Sequence, residues 1–289
     1  MKKLLIAVTF FCLIQETEAF PKGFLSNSTL LQKLDIKIIP VQMTEKNDIL
    51  PIVESESLEK KYLIGQEGLV ELERVKDSKK IKLNIHTCGN EEFAFPWRPR
   101  NENKSKGIFI ALGKEIRNVV VKWLPAKEVT IPPKPSCLSY KKSYIQTSAS
   151  FVQINGLDKT IFFTHFDSPE QVKFLKELRE YEKRKKPNEP YPKVDCSKAD
   201  VAFQKIGFLN NDKCEILLES EIDCEGQGYE KGQFGEPLGL IEISIGNENE
   251  KWLIFHAHGY EGDAYLGIKM SSDLPVKKTN VDFYVYSGC

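Results

Sequence analysis

The sequence predicts a mostly β fold: antiparallel, β-sandwich-like domains with one amphipathic helix, stabilised by disulfides. Three observations predict it. Apolar and polar residues alternate through most segments, which is the period of a half-buried strand. Turn residues punctuate those segments at short intervals, the habit of antiparallel sandwiches rather than parallel α/β sheets. Six cysteines follow an N-terminal segment with the layout of a secretory signal, and an even count in an exported chain implies bridges.

The signal reading rests on residues 1–19. Lys2 and Lys3 give a basic start, residues 4–14 form an apolar run too short for a stable membrane span, and Thr17-Glu18-Ala19 supplies a small residue for cleavage after Ala19. Cleavage removes Cys12 and leaves Cys88, Cys137, Cys196, Cys214, Cys224 and Cys289. Residues 20–64 read as an irregular N-terminal extension.

Residues 65–186 read as a β-sandwich domain ending in a helix. Residues 69–75 are expected to turn through Asp77-Ser78-Lys79 into 80–86, and 107–112 through Gly113-Lys114-Glu115 into 118–123. Residues 150–154 meet Asn155-Gly156, a strong hairpin signal, and return as 160–164. In the helix, Ser168 is the cap, Pro169 takes the first helical position, and Gln171 completes a capping box. Val172, Leu175, Leu178 and Tyr181 recur at helical spacing, and Pro187 stops the helix. Residues 187–193 are proline-rich and read as a linker. Residues 194–289 read as a second β-sandwich domain, with strands at 199–209, 214–222, 238–245, 251–258, 264–270 and 280–287. The segments carrying Trp123 and Trp252 share a pattern, a strand and a polar turn before the tryptophan strand, which raises an internal duplication.

The cysteines allow a geometric argument. Residues 214–224 contain no turn residue until their end, so one extended strand separates Cys214 from Cys224 by roughly 30 Å, far beyond the about 5–6 Å between α-carbons that a disulfide needs. A hairpin reversing at Asn210-Asn211-Asp212-Lys213 brings Cys224 toward Cys196. Cys196–Cys224 is therefore expected, with Cys214–Cys289 and Cys88–Cys137; Cys196–Cys214 with Cys224–Cys289 is the alternative.

Charge excludes some partners. The 41 basic and 41 acidic residues balance, and the signal removes two of each, so no net field steers nucleic acid or an anionic membrane. No second apolar run reaches membrane length. Asn27-Ser28-Thr29 and Asn103-Lys104-Ser105 are N-glycosylation sequons, with Asn27 and Asn103 as acceptors.

Two constellations carry chemistry. Phe93, Phe95 and Trp97 alternate along a segment stiffened by Pro96 and Pro99 and flanked by Arg98 and Arg100. Aromatic faces with forked donors suit sugar rings or peptide side chains; filling of the core by the same rings is the competing reading. His256 and His258 share one side of a strand, with Asp263 close behind, a set that would hold zinc with an open position. No HExxH or nucleophile-elbow motif accompanies them. His165 stands near Asp167, where a helix cap also needs a polar group. No cofactor is implied. The expectation is a secreted, extracellular, non-enzymatic binding module for a glycan or protein surface. The alternatives are a metal-dependent hydrolase using His256 and His258, and a structural extracellular component.

Overall fold

A computed structural model describes residues 23–52, 60–85, 91–100, 107–113, 116, 118–130, 138, 144–184, 190, 192, 202–210, 213–222, 235, 237–258, 262–270 and 281–288. The expected cleavage site, the Asn103 sequon, most of the linker and every cysteine except Cys214 lie outside them. Every ladder among the described strands is antiparallel.

Six short strands close a barrel: β1 (Lys37–Met43), β2 (Ile49–Pro51), β3 (Lys60–Gly65), β4 (Gly68–Arg74), β7 (Trp97–Pro99) and β8 (Phe109–Gly113), in the order β1-β2-β7-β4-β3-β8. Ile39, Val41, Ile49, Leu63, Leu72 and Ile110 are buried together as its apolar filling. Between β4 and β7, β5 (Ile81–Lys82) and β6 (Phe93–Ala94) pair as a separate ribbon.

Nine strands form the second sheet: β9 (Val119–Glu128), β10 (Ile145–Ile154), β11 (Thr160–Asp167), β12 (Ala202–Asn210), β13 (Lys213–Ile222), β14 (Pro237–Ile245), β15 (Glu248–His258), β16 (Gly262–Lys269) and β17 (Val281–Gly288). Their order is β13-β12-β11-β10-β9-β14-β15-β16-β17. β9 is the pivot. Residues 119–125 pair with β14, and 126–128 pair with β10. The sheet folds over at this strand, because one buried cluster joins Ile161, Phe163 and Phe208 of one half to Leu253, Phe255 and Leu266 of the other. The opposite face of the β14–β17 half packs on the barrel: Trp123, Ile241, Trp252 and Ile254 cluster with Ile38 and Phe109. The β14–β17 half is therefore a middle layer with apolar contacts on both faces, which is why Trp252-Leu253-Ile254-Phe255 runs apolar without alternation.

Several expectations change. The stretch 20–64 is not irregular where it is described: it holds α1 (Thr29–Leu34), β1, β2 and β3. β1 is buried along Ile38 to Val41, so its sequence lacks the alternation that marks a one-sided strand. Position 65 is no boundary, because β3 and β4 form a hairpin across it, with Gly65 opposite Gly68. The hydrogen-bonded sheet also spans the expected division at 187–193, since β11 pairs with β12 and β9 with β14. Residues 107–112 and 118–123 are not a hairpin: β8 pairs with β1 and β3, and β9 with β10 and β14. Nor do 69–75 and 80–86 pair; β4 lies between β3 and β7. The Trp123 and Trp252 segments are thus not equivalent, because only the second belongs to a hairpin, β14–β15.

The hairpin at Asn155-Gly156 forms. The Leu157 N–H donates to the Ile154 carbonyl at 3.0 Å, and Gly156 alone takes a positive φ, +81°. That is the type II pattern, in which the second central residue needs glycine, rather than the type I′ turn usual for this dipeptide. α2 (Pro169–Arg184) starts as expected: the Gln171 N–H donates to Ser168 Oγ at 3.2 Å. The β12–β13 hairpin reverses where expected, with Asn210 opposite Lys213.

The N-terminal segment locks barrel to sheet. Phe24, Leu25, Leu30 and Leu31 are buried in the cluster shared by both. Gly267 on β16 lets them approach: a Cβ there would stand 2.4 Å from Leu25 Cδ2. Two carboxylates from the sheet fix the polar groups of this segment. Glu250 of β15, 7 % exposed, accepts from Ser28 Oγ at 2.7 Å, from Thr29 Oγ1, from the Leu30 N–H at 3.3 Å and from Trp252 Nε1 at 3.1 Å. Lys269 Nζ lies 2.9 Å from its Oε1. Asp282 of β17 accepts from Ser26 Oγ and the Asn27 N–H, each at 3.1 Å.

These surroundings move the two carboxyls in opposite directions. Burial raises that of Glu250, but bonds from Thr29, Ser28, Lys269 and Trp252 outweigh it and hold the pKa down at about 2. Burial dominates at Asp282 and raises its pKa despite the bonds from the 25–27 turn. A depressed carboxyl pKa gives stability that is present above the unfolded value of 4.5 and lost as pH falls toward about 2. A raised one works the other way. Glu250→Gln is expected to lower the free energy of unfolding by about 1.5–3 kcal/mol at pH 7, the range for hydrogen bonds to a charged group. It should also flatten the fall in stability between pH 4.5 and 2. Urea titrations across that range check both.

Candidate functional site

The 93–100 segment lies at the junction of ribbon and barrel. The ribbon register sets Ile81 opposite Ala94 and Lys82 opposite Phe93. Leu83 and Ala94 are buried with Leu50, so strand alternation sends Phe93 to the opposite face, where it is 40 % exposed. Phe95 is half-buried beneath a cation: the Arg74 guanidinium carbon is 3.4 Å from the ring centroid, and Lys80 Nζ is 5.3 Å from it. Trp97 is half-buried against the barrel filling, and Lys61 Nζ, on a residue only 4 % exposed, is 4.6 Å from its ring centroid.

One line of register organises this end of the barrel. Met43 is opposite Ile49, Ile49 opposite Trp97, and Trp97 opposite Arg74. Met43 is exposed at the end of that line. The two arginines of the motif are engaged within the fold. Arg98 pairs with the buried carboxylate of Asp48, and Arg100 Nη1 donates to Glu71 Oε2 at 3.1 Å. The polar groups next to the aromatic faces are instead Arg74, Lys80 and Lys61. Sequence reasoning missed them, because only the β4–β7 pairing, the β5–β6 ribbon and barrel closure bring them to rings about 15 to 36 positions away. Such cation–π contacts contribute about 0.5–1 kcal/mol at exposed sites.

His256, His258 and Asp263 sit on adjacent strands. His258 is opposite Asp263, and His256 is opposite Tyr265, the two rings lying 5.5 Å apart between centroids. Backbone alternation places positions 256 and 258 on the face that carries Trp252 and Ile254. The side chains of His258 and Asp263 lie outside the described ones. Among the described residues no group of three potential ligands gathers for a metal.

His165 and Asp167 form a built network on β11. The Nε2–H of His165 donates to Asp167 Oδ1 at 2.9 Å, and Gln204 Nε2 of β12 donates to His165 Nδ1 at 3.0 Å. Thr147 Oγ1 donates to Asp167 Oδ2 at 2.7 Å. Asp167 is 3 % exposed. Burial raises its pKa, and the bonds from His165 and Thr147 outweigh that and bring it below the usual value. The arrangement has the spacing of a catalytic dyad, and both of its ring nitrogens are engaged within the sheet. It fixes the edge of β10 to β11 beside the α2 cap.

Of the other expected sites, Asn27 is exposed in the turn before α1. Cys214 is on β13 opposite Leu209, and each proposed pairing involves cysteines outside the described residues. No described helix is long and apolar enough to cross a membrane. Compared with protein-family models, curated proteins and solved structures, the chain matches none.

A structural His165 makes a definite forecast. His165→Ala strips Asp167 of a donor in a buried setting and is expected to cost about 1–3 kcal/mol of stability. Denaturant unfolding reads this directly, and unchanged stability contradicts the structural role.

Proposed function

We propose that this chain is a secreted, disulfide-stabilised, non-enzymatic binding protein whose contact surface is the ribbon-and-barrel end carrying Phe93, Phe95 and Trp97, and that its partner is an extracellular glycan or protein surface. The observation that carries this reading is the aromatic–cation arrangement itself. One ring is exposed, two are half-buried, and Arg74, Lys80 and Lys61 stand over the latter two. Rings with adjacent donors offer an apolar face and hydrogen bonds to the same ligand, which suits sugars and peptide side chains. Export is supported by the signal layout of residues 1–19. Disulfide stabilisation is supported by the cysteine count and by the β12–β13 register, which opens toward Ala202 and Ile222 as a Cys196–Cys224 bridge requires.

Glycan and cell-surface arrays probed with the secreted chain test this reading. A ligand found there should change the Trp97 fluorescence. Phe93→Ala should weaken its binding about tenfold, equivalent to about 1.4 kcal/mol, with an unchanged melting temperature because the ring is exposed. Binding indifferent to both Phe93→Ala and Phe95→Ala contradicts the assignment.

One observation favours a second reading, a metal-dependent hydrolase: the register places His258 opposite Asp263 and keeps His256 on the same face. Zinc would then raise the melting temperature of the wild type and not that of His258→Ala. No zinc-linked shift in the wild type removes this reading.

A further inference from the structure

We propose that Asn27 carries an N-linked oligosaccharide and that the sugar is attached before α1 docks on β15. The proposal rests on the export reading above. Asn27-Ser28-Thr29 is a sequon, and its three residues meet different fates in the folded chain. Asn27 is exposed. It lies in a tight turn that the Ser28 N–H closes by donating to the Leu25 carbonyl at 2.9 Å, and its own N–H donates to the buried Asp282 at 3.1 Å. Ser28 is fully buried, with its hydroxyl on Glu250 at 2.7 Å. Thr29 is exposed as a residue, but its hydroxyl donates to Glu250 Oε1.

A sequon is recognised through both its asparagine amide and its hydroxyl. In the folded chain that hydroxyl is committed to a carboxylate held ionised to about pH 2, and the backbone on both sides is anchored to β15 and β17. A transferase cannot draw the triplet into a site without undoing the Glu250 and Asp282 bonds and pulling Leu25, which is fully buried, out of the core. Modification therefore belongs to the newly made chain. In that step Asn27 Nδ2 attacks C1 of an oligosaccharide carried on a polyprenyl diphosphate. The Nδ2–C1 bond forms, the C1–O bond breaks, the diphosphate leaves with the electron pair, and one amide proton passes to a base of the transferase. Once α1 docks, Asn27 stays exposed.

The test expresses the full-length chain in secreting eukaryotic cells. Newly made and exported chains are treated with a glycosidase in heavy-oxygen water, and the Asn27 peptide is weighed. Conversion of Asn27 to labelled aspartate in most copies is expected, with no label in Thr29→Ala. In Glu250→Ala, where α1 docking is weakened, occupancy read on newly made chains should equal or exceed that of the wild type, whether or not the variant folds. Exported wild-type chain with an unlabelled Asn27 overturns this proposal alone. Lower occupancy in Glu250→Ala than in wild type overturns the order of events. Chain that stays in the cytosol overturns the export reading and this proposal together.

Discussion

The rest of the structure depends on the buried carboxylate of Glu250. A carboxylate taken out of water is costly unless its lone pairs are met by donors. Here Ser28, Thr29 and the Leu30 N–H come from the start of α1, Trp252 from the same strand, and Lys269 from β16. No donor set on one element alone would suffice, so the carboxylate is stable only when three pieces of chain are together. That makes it a specificity device: it selects one placement for the N-terminal segment. The apolar contacts of Phe24 and Leu25 under Tyr265, Tyr284 and Gly267 then follow. They complete the layer that fastens the barrel to the middle of the sheet.

The same logic governs the candidate contact surface. The inside of the barrel is lined by its own buried aliphatic side chains. Its chemistry is at the end, where the ribbon and β7 leave aromatic rings half-covered. Arg98 and Arg100 are paired with Asp48 of the β1–β2 loop and Glu71 of β4, so these ion pairs tie β7 and its end to the neighbouring segments. Arg74 and Lys80 lie over Phe95, and Lys82 is opposite the exposed Phe93 in the ribbon.

Legibility in the sequence followed burial. The strands from β12 onward lie within a few residues of the segments read from the pattern, and the α2 start was visible in Ser168-Pro169-Glu170-Gln171, because capping is local chemistry. The barrel was not visible. Its strands are short, β1 is buried without alternation, and its neighbours are β2 and β8, the second about 70 positions away. Adjacent strand-like segments such as 107–112 and 118–123 looked like hairpins, but a closed barrel claimed the first and the folded sheet the second. At the candidate site the rings were legible and their partners were not: the Arg98–Asp48 pair joins positions 50 apart in sequence. The His165–Asp167 spacing was visible, but the hydrogen bond between Gln204 and His165 Nδ1 appears only in the β11–β12 pairing.

The indole N–H of Trp252 reports on the central constraint more directly than any other proton. It donates to Glu250 Oε2 at 3.1 Å inside the fully buried junction of N-terminal segment, barrel and sheet. If Glu250 holds these three together, native-state hydrogen exchange should show this proton exchanging only with global unfolding, at the same free energy as the β14–β15 amides. Exchange of the indole proton well ahead of those amides would show that the segment undocks while the sheet stays folded, and would contradict the account.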